Sequence, residues 1–329
     1  MPELGVDLKA AGKVGLIGAA GAAGQSIAAA LSTAGRPYRA IGRGQSALQR
    51  AFGNDPNAEI VTWDPADPAS VKSALTGLHT AVYLVGVPYD QFATHPPLMQ
   101  KTLDGLLAAG VRRLILIGTA YPYGRAQTTP VTEAHPRNPH TFKGKMRLAQ
   151  ENLVLDAHGH HGLETLVLRL PDFYGPGIDR SFLHGVFEGA ARGTRAQMLG
   201  PIDVPPEFVF MPDVGPVVET LTRTPHAYGR VLHLAGAGTI TQREVAEKAY
   251  ALAGRAPRLI VAGKPTLRVM GLFNPVMREL VEMHYLVTDP VVLDDTALRT
   301  LIGPLGKTSY EEGIARSVEA ARRDAARAA

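Results

Sequence analysis

Three regularly spaced glycines near the start of the chain have the pattern of a phosphate-binding turn. They belong to Gly18-Ala-Ala-Gly21-Ala-Ala-Gly24, which follows an apolar run and opens a segment of helical character. Without side chains the backbone can approach a pyrophosphate, and the N–H groups of a helix N-terminus favour negative charge. The sequence therefore predicts dinucleotide binding by Gly18, Gly21, Ala22, Ala23 and Gly24, the alternative being a purely structural Gly/Ala turn. The spacing differs from G-x-G-x-x-G, and the absence of a G-x-x-x-x-G-K-[ST] motif disfavours a P-loop.

The residue that ends the second predicted strand distinguishes between the two nicotinamide dinucleotides. NAD sites place an acidic residue there, whereas NADP sites offer arginine. Here Arg43 stands 19 residues after Gly24, no acidic residue follows until Asp55, and Arg36 and Arg39 add positive charge. A planar guanidinium suits a 2′-phosphate. We therefore expect NADP(H) to be preferred over NAD, the alternative being that Arg43 is an ordinary solvated side chain.

Asp64 follows the third predicted strand. Its carboxylate has two interpretations, a hydrogen bond from the adenine amino group or a cap on the turn before Pro65.

Short apolar runs alternate with helix-length segments through the first half of the chain and recur once later. The predicted strands are 13–17, 38–41, 59–62, 80–85, 113–117, 165–170 and 231–234. The predicted helices lie at about 22–34, 46–52, 68–76, 97–109 and 143–157. This alternation predicts an α/β fold, a doubly wound, Rossmann-like parallel sheet covered by helices on both faces.

The pattern changes after Gly175, where prolines separate short elements and two capping boxes, Thr241–Glu244 and Ser309–Glu312, predict helices. We expect a smaller, mostly helical C-terminal lobe that binds the substrate. The predicted division assigns 1–177 to the dinucleotide-binding domain, with 208–236 returning to it. The lobe then comprises 178–207 and 237–329.

Composition excludes several classes of protein. The chain has 329 residues, no Cys and a net charge of +4. It therefore cannot be a disulfide-stapled module or a thiol enzyme, and its charge is too small to indicate nucleic-acid binding. The uncharged stretch 14–35 is mainly Ala and Gly, which favours a buried strand, turn and helix over a signal peptide or a membrane span. We expect a cytoplasmic protein without a membrane partner.

Several motifs together resemble the short-chain dehydrogenase/reductase superfamily, in its extended, epimerase/dehydratase-like branch. They are the glycine turn, Asp64, the segment 117–124 with Thr119 and Tyr123-Gly124, the segment 168–177 with Arg169 and Tyr174-Gly-Pro, and the segment 208–214. The resemblance extends to about residue 255 and is weak in the final lobe. It implies cofactor contacts at Val85, Gly86 and Pro171, a small-molecule substrate and a homodimer.

Enzymes of this superfamily use a Ser or Thr, a Tyr and a Lys together. The Tyr and Lys stand four residues apart on one helix face, so that the Lys holds the nicotinamide ribose and lowers the Tyr pKa. By resemblance Thr119 takes the first role and Lys145 the third, where it also binds the cofactor. The Tyr position is then Thr141, whose hydroxyl is a far weaker acid than a phenol. A register counted from Lys143 places Pro139 there instead.

Other side chains are candidates for the missing proton-transfer group. Tyr121 lies on the loop where the superfamily meets its substrate, His140 titrates near neutrality, and Asp172 replaces the Asn of the superfamily motif. Each also has a plainer interpretation: Tyr121 lines the pocket, His140 lies at a solvated helix start, and Asp172 is a turn residue. A site that uses water, or no proton donor, is a further alternative.

The leading hypothesis is an NADP-dependent reductase or dehydrogenase that moves hydride between nicotinamide and a carbonyl or alcohol carbon. The alternatives are an epimerase or dehydratase that regenerates its cofactor, and a non-catalytic NADP-binding sensor, which the missing Tyr favours.

Two clusters outside these motifs have simple interpretations, and no metal site is predicted. The histidines of His158-Gly-His160-His161 fit a solvated loop. Glu279, Glu282 and His284 fit an amphipathic helix better than a metal site or a substrate pocket. The apolar segment 267–273 is predicted to be lobe core or the cover of a hydrophobic pocket.

Overall fold

A parallel seven-stranded sheet forms the centre of the computed structural model, which describes residues 12–328. The strands are β1 (Val14–Ile17), β2 (Tyr38–Gly42), β3 (Ala58–Thr62), β4 (Thr80–Tyr83), β5 (Arg113–Thr119), β6 (Glu164–Leu170), β7 (Asp172–Tyr174), β8 (Ala196–Leu199), β9 (Phe208–Phe210), β10 (Arg230–His233) and β11 (Leu259–Ala262). The sheet runs in the order β10-β6-β5-β4-β1-β2-β3, which confirms the predicted doubly wound fold. β7 pairs with β9, and β8 with β11, in two small parallel sheets that the sequence analysis did not predict.

Helices cover both faces of the sheet and build the C-terminal lobe. They are α1 (Ala22–Thr33), α2 (Gln45–Phe52), α3 (Pro68–Leu75), α4 (His95–Ala108), α5 (Phe142–Asp156), α6 (His184–Arg192), α7 (Met211–Thr222), α8 (Gln242–Leu252), α9 (Lys264–Met270), α10 (Pro275–Met283), α11 (Tyr285–Thr288), α12 (Thr296–Ile302) and α13 (Tyr310–Ala328). Both helix starts that the capping boxes predict are present. Thr241 and Glu244 form the complete capping box of α8, and the Ser309 hydroxyl accepts from the Glu312 N–H at 3.2 Å at the start of α13. Asp67 also caps α3 by accepting from the Ala69 N–H at 2.9 Å.

The three largest hydrophobic clusters among the described residues hold these layers together. One lies between the sheet and α1, α7 and α12, and includes Ile27, Val214 and Leu298. A second lies on the opposite face under α3, α4 and α5, with Met99 and Val154. The third belongs to the lobe, where α6, α8 and α13 pack around aromatic residues of β7 and β9. The sheet is thus buried on both faces, as parallel sheets require.

The return of the chain to the sheet occurs at β10, which is hydrogen-bonded to β6 in parallel register. The predicted division into domains stays a prediction, and its residues 1–11 and 329 lie outside the described part of the chain.

The apolar segment 267–273 was expected to be lobe core or the cover of a hydrophobic pocket. Leu267 is buried, but Leu272 and Phe273 form an exposed tip and are 78% and 88% exposed, so these two residues are not lobe core. The alternative, a pocket cover, stays a prediction. Within residues 12–328 no helix combines the length and apolar character needed to cross a bilayer.

Candidate active site

The glycine turn between β1 and α1 has the geometry of an anion cradle. Gly18 has a φ of +91°, and a Cβ there would lie 3.1 Å from the backbone of Val85. A Cβ on Gly24 would lie 2.1 Å from the Ala19 carbonyl oxygen, so only glycine permits this close packing. Gly21 is exposed and caps α1 with no side chain over the helix end. The N–H groups of the first turn are therefore accessible, and the residues present fit a dinucleotide pyrophosphate.

Arg43 lies at the carboxyl end of β2 with an exposed side chain that forms no ion pair within residues 12–328. The other two arginines considered above are engaged elsewhere. Arg36 is buried and pairs with Glu219 at 2.8 Å, while Arg39 pairs with Glu59 at 2.9 Å. The expectation that Arg36 and Arg39 add positive charge at the cofactor edge is wrong, because Arg36 precedes β2 and Arg39 is its second residue, so both lie towards the amino end of the strand and Arg43 follows its carboxyl end.

The remaining predicted cofactor residues lie at the same edge of the sheet. Asp64 is exposed after β3 and accepts a hydrogen bond from the Ala66 N–H at 2.8 Å, which is the turn cap that the sequence left as an alternative. Val85 and Gly86 follow β4, and Pro171 follows β6. Because all these strands are parallel, their carboxyl ends meet where open α/β sheets bind ligands.

The start of α5 departs from the expected register. Thr141 is the N-cap of this helix, and its hydroxyl accepts from the Gly144 N–H at 3.0 Å. Lys145 is exposed, whereas the Lys143 side chain is completely buried. Residues two positions apart lie about 200° apart around a helix, so Lys145 points away from the face that carries Lys143. This corrects the expected placement of Lys145 in the site.

The face of α5 that meets the sheet carries Lys143, Arg147 and Glu151, each four residues after the last. Arg147 lies close enough to Tyr121 and Tyr83 to interact electrostatically with both hydroxyls, and donates to the Gln150 side-chain oxygen at 2.7 Å. Sequence reasoning missed this face, although the i, i+4, i+8 spacing of charged residues was the available signal.

A buried charge network fixes that register. Arg169 of β6 and Glu151 of α5 form an ion pair in which both side chains are almost fully buried, with Nε to Oε2 at 2.8 Å. Arg169 also donates to the Tyr123 hydroxyl, which contacts His233 Nε2 at 2.6 Å. Burial lowers the pKa of His233 to about 4. The network ties α5, β6, β10 and the 3₁₀ turn after β5 into one support beneath the site.

A cluster of hydroxyl and carboxyl groups lies above this support. Thr119 ends β5, and its hydroxyl accepts from the Tyr121 N–H at 3.4 Å. The Tyr121 hydroxyl lies close enough to that of Tyr89 for the two to interact, and burial, the main cause, raises the pKa of Tyr121 well above its ordinary value. Burial likewise raises the pKa of Tyr89 to about 12 and that of Asp172, the first residue of β7, to about 7. The structure thus brings Thr119, Tyr121 and Asp172 together, as the sequence analysis expected, and adds Tyr89.

A second carboxyl group was not anticipated. Tyr121, Asp172 and Glu207 line a cavity of about 20 Å³, room for roughly one water molecule. Burial raises the pKa of Glu207 to about 7, although its Oε2 accepts from the Leu293 N–H at 3.0 Å. Glu207 immediately precedes β9, the partner of β7, so the missed signal was strand pairing between distant segments.

His140 lies at the rim of this cluster. Its side chain is exposed, and its ring packs edge-on against Tyr285 with centroids 4.7 Å apart. Desolvation, the largest cause, lowers the pKa of His140. Tyr285 is buried and interacts electrostatically with Asp172. His140 is therefore linked to the cluster indirectly, through its contact with the Tyr285 ring.

The two glutamates of α10 are not simply the polar face of an amphipathic helix. Glu279 and Glu282 both form ion pairs with Lys143.

In the part of the chain that the structure describes, no three acidic, His or Cys side chains are grouped to hold a metal ion. His158 accepts from the Thr165 N–H at 3.1 Å through Nδ1, while His160 and His161 are exposed.

Comparisons with known proteins match the chain to an NAD-dependent enzyme family and to individual enzymes. A model of the NAD dependent epimerase/dehydratase family matches residues 14–231. The chain is 29% identical over 82 residues to a UDP-glucose 4-epimerase of Azospirillum brasilense, covering 25% of this chain and 24% of that protein. It is 30% identical over 154 residues to a 2'-dehydrokanamycin reductase of Streptomyces kanamyceticus, covering 45% of this chain and 43% of that protein. The matches thus span from about a quarter to less than half of these relatives' lengths.

The fold comparison covers almost the whole chain. The solved structure of UDP-glucuronic acid 4-epimerase from Bacillus cereus in complex with NAD has a TM-score of 0.79 at 15% identity, covering 94% of this chain and 99% of that one. At this identity the comparison establishes a shared fold, including the Rossmann-like sheet.

Proposed function

Because the chain belongs to the NAD dependent epimerase/dehydratase family, we propose that it is an NADP-dependent oxidoreductase acting on a carbonyl or alcohol of a small organic substrate. The observation that carries the proposal is the placement of Tyr121 and Arg147 beside the glycine-turn edge of the sheet. A nicotinamide dinucleotide held there supplies hydride exchange with a substrate carbon. The protein must then supply a proton to the substrate oxygen, or remove one from it.

Tyr121 is the proposed proton donor. Its phenol is protonated at neutral pH, and burial together with the neighbouring Tyr89 and Asp172 raises its pKa, so proton donation depends on a positive charge nearby that offsets these causes. The Arg147 guanidinium lies on the side of α5 that faces Tyr121 and stabilises the negative charge that develops on the phenol oxygen. Arg147 thereby takes the place that the sequence analysis gave to Lys145, and Thr119 lies beside Tyr121 to orient the substrate oxygen.

Arg43 is the proposed determinant of cofactor choice. Its guanidinium is exposed at the end of β2 and free of internal ion pairs within the described residues, so binding a 2′-phosphate breaks no existing contact. The absence of an acidic side chain between Arg43 and Asp55 removes the usual partner of the NAD ribose hydroxyls.

The test measures turnover of a panel of carbonyl compounds with NADPH, using the loss of absorbance of the reduced nicotinamide as the readout. Tyr121→Phe should lower kcat by roughly 100- to 10,000-fold, the range for removal of a general acid. Arg147→Met should lower kcat without abolishing NADPH binding, and Lys145→Met should leave kcat within about twofold of the wild type. Loss of activity in Lys145→Met with retention in Arg147→Met would restore the original register and refute this assignment.

An epimerase or dehydratase is the second candidate, favoured by the matched family and by the epimerase fold neighbour. Such an enzyme regenerates its cofactor within each turnover. It would convert substrate with no net change in nicotinamide absorbance and would not require added NADPH. Product analysis by mass spectrometry therefore separates the two candidates, and cofactor binding with no conversion of any substrate would indicate a sensor.

A further inference from the structure

Lys143 lies at the junction between the sheet domain and the C-terminal lobe. Its ammonium group is completely buried and pairs with Glu282 at 2.7 Å and with Glu279, two residues of α10 that lie 136 or more positions away in sequence. A buried ammonium group is stable only when it is paired. Lys143 can therefore hold this position only while α10 lies against the start of α5.

Glu282 makes a second contact at the same junction. Its Oε1 accepts from the Lys143 backbone N–H at 2.9 Å, in the first turn of α5. A carboxylate at this place satisfies an unpaired helix donor and interacts favourably with the helix dipole. The two glutamates with Lys143, called here the Lys143 clamp, therefore fix both the side chain and the helix start.

The Lys143 ammonium group also lies near two aromatic rings, one of which, Tyr89, belongs to the candidate active site. Its Nζ lies 5.6 Å from the ring centroid of Tyr89 and 5.8 Å from that of Phe92, both in the 3₁₀ segment that precedes α4. These distances lie within the range of cation–π attraction. The hydroxyl of Tyr89 in turn lies close enough to that of Tyr121 for the two to interact. A continuous set of interactions thus runs from the lobe carboxylates through Lys143 and Tyr89 to Tyr121.

We propose that Lys143 is a positioning residue that couples docking of α10 to the orientation of the proton donor, by fixing Tyr89 against Tyr121. The inference rests on the proposed function for its catalytic meaning, because Tyr121 is the proton donor there. Lys143 does not itself transfer the proton, since two carboxylates occupy it and its side chain is completely buried. When α10 leaves, the ammonium group loses its counter-charges, and Tyr89 loses its neighbour.

The first arm of the test measures docking of α10 without any substrate. Limited trypsin digestion of the native protein with NADPH, read by mass spectrometry, reports cleavage after Arg268 and Arg278, which flank the exposed tip. Cleavage tracks the population of the open form. Lys143→Met should accelerate this cleavage about tenfold, Lys143→Arg should restore most of the protection, and Lys101→Met, at an exposed lysine of α4, should match the wild type.

The second arm follows the tyrosines themselves. The chain has 10 tyrosines, and carbon-13 labelling at their hydroxyl-bearing ring carbon gives NMR signals that Tyr89→Phe and Tyr121→Phe assign. In Lys143→Met the signals of Tyr89 and Tyr121 should shift, while those of distant tyrosines such as Tyr38 should not, and Lys143→Arg should reverse the change. The paired variant Glu279→Gln/Glu282→Gln gives a second route if Lys143→Met does not fold.

The outcomes distinguish the clamp from the proposed function. Unchanged cleavage and unchanged Tyr121 signals in both the Lys143 and the double-glutamine variants would refute the clamp. Faster cleavage with unmoved tyrosine signals would refute the positioning role. A full effect in both arms, together with unaltered turnover in Tyr121→Phe, would leave the clamp standing and refute the role given to Tyr121. When an active substrate is known, the fold decrease in kcat caused by Lys143→Met should be at least ten times the fold increase in the KM for NADPH.

Discussion

Replacing Arg43 with alanine is the sharpest single test of cofactor choice. The guanidinium is exposed and engaged in no ion pair among the described residues, so the substitution removes no internal contact and should leave the fold intact. A hydrogen bond to a charged group contributes about 1.5–3 kcal/mol. Because Arg43 is solvent-exposed, we expect a contribution around or below the lower end of that range, about 1–2 kcal/mol.

That energy converts directly into affinity. Since 1.4 kcal/mol corresponds to a factor of ten, Arg43→Ala should weaken NADPH binding by roughly 5- to 30-fold. NADH lacks the 2′-phosphate, so its dissociation constant should change by less than about twofold. Isothermal titration calorimetry of both cofactors with wild type and variant gives the four dissociation constants needed.

A matched control is available in the same helix region. Arg50 is an exposed arginine in the last turn of α2, away from the carboxyl end of β2, and Arg50→Ala should change neither affinity. An equal loss of NADPH and NADH affinity in Arg43→Ala, or a wild-type preference for NADH, would refute the reasoning. The salt dependence gives a second check, because screening should reduce the NADPH advantage of the wild type more than that of the variant.

Two further predictions concern pH and stability. The pKa of Asp172 in the folded protein, about 7, exceeds the ordinary carboxyl value of 3.8, so the folded protein holds an extra proton between these two pH values. Asp172 therefore makes the free energy of unfolding fall as the pH rises from about 4 to 7, and Asp172→Asn should be more stable than the wild type at pH 8. Urea titrations should show this difference shrinking towards pH 5, and an equal difference at both pH values would contradict the assignment. Glu151→Gln leaves the buried Arg169 guanidinium without its counter-charge and should cost about 3–5 kcal/mol of unfolding free energy, whereas Glu319→Gln in the exposed pair with Arg323 should cost less than about 1 kcal/mol; similar losses in the two variants would show that burial of the first pair does not matter.

Local signals in the sequence predicted the sheet domain well. The glycine turn, the strands of the sheet and the Thr241–Glu244 capping box depend on residues close together in the chain, so composition, periodicity and short motifs define them. The family assignment and the fold are confirmed by the family match and the structural neighbour. The preference for NADP, the homodimer, the cytoplasmic location and the domain boundaries stay predictions.

The parts that sequence reasoning missed depend on distant residues. Glu207 and Asp172 meet because β7 pairs with β9, and no local pattern identifies that pairing. Lobe core was one of two expectations for the segment that carries the exposed tip at Leu272 and Phe273, and it failed there because apolar composition cannot tell which side of a helical turn faces a core. The ion pair of Arg36 was missed because its partner, Glu219, lies 183 residues later in the chain.

The register of α5 is the most instructive of these misses. The superfamily motif places a Tyr four residues before a Lys on one helix. Because the Tyr is missing here, the position of the motif had to be counted back from a lysine, and two lysines, Lys143 and Lys145, lie close together. Charged side chains are rarely buried without partners, so a buried helix face that carries Lys143, Arg147 and Glu151 requires a counter-charge or a ligand for each. Glu151 finds Arg169 beneath the sheet edge, and Lys143 finds the glutamates of the lobe.

Arg147 differs from its two neighbours on that face, because it has no carboxylate ion pair within residues 12–328 and lies beside the phenol of Tyr121. One helix face therefore predicts three different effects of removing a charge. Glu151→Gln should lower stability with little change in the chemistry per folded molecule. Lys143→Met should loosen α10, and Arg147→Met should lower turnover while the fold and the α10 contact persist. If all three variants lost stability alone, the charged face of α5 would be a structural support and Tyr121 would have to act without it.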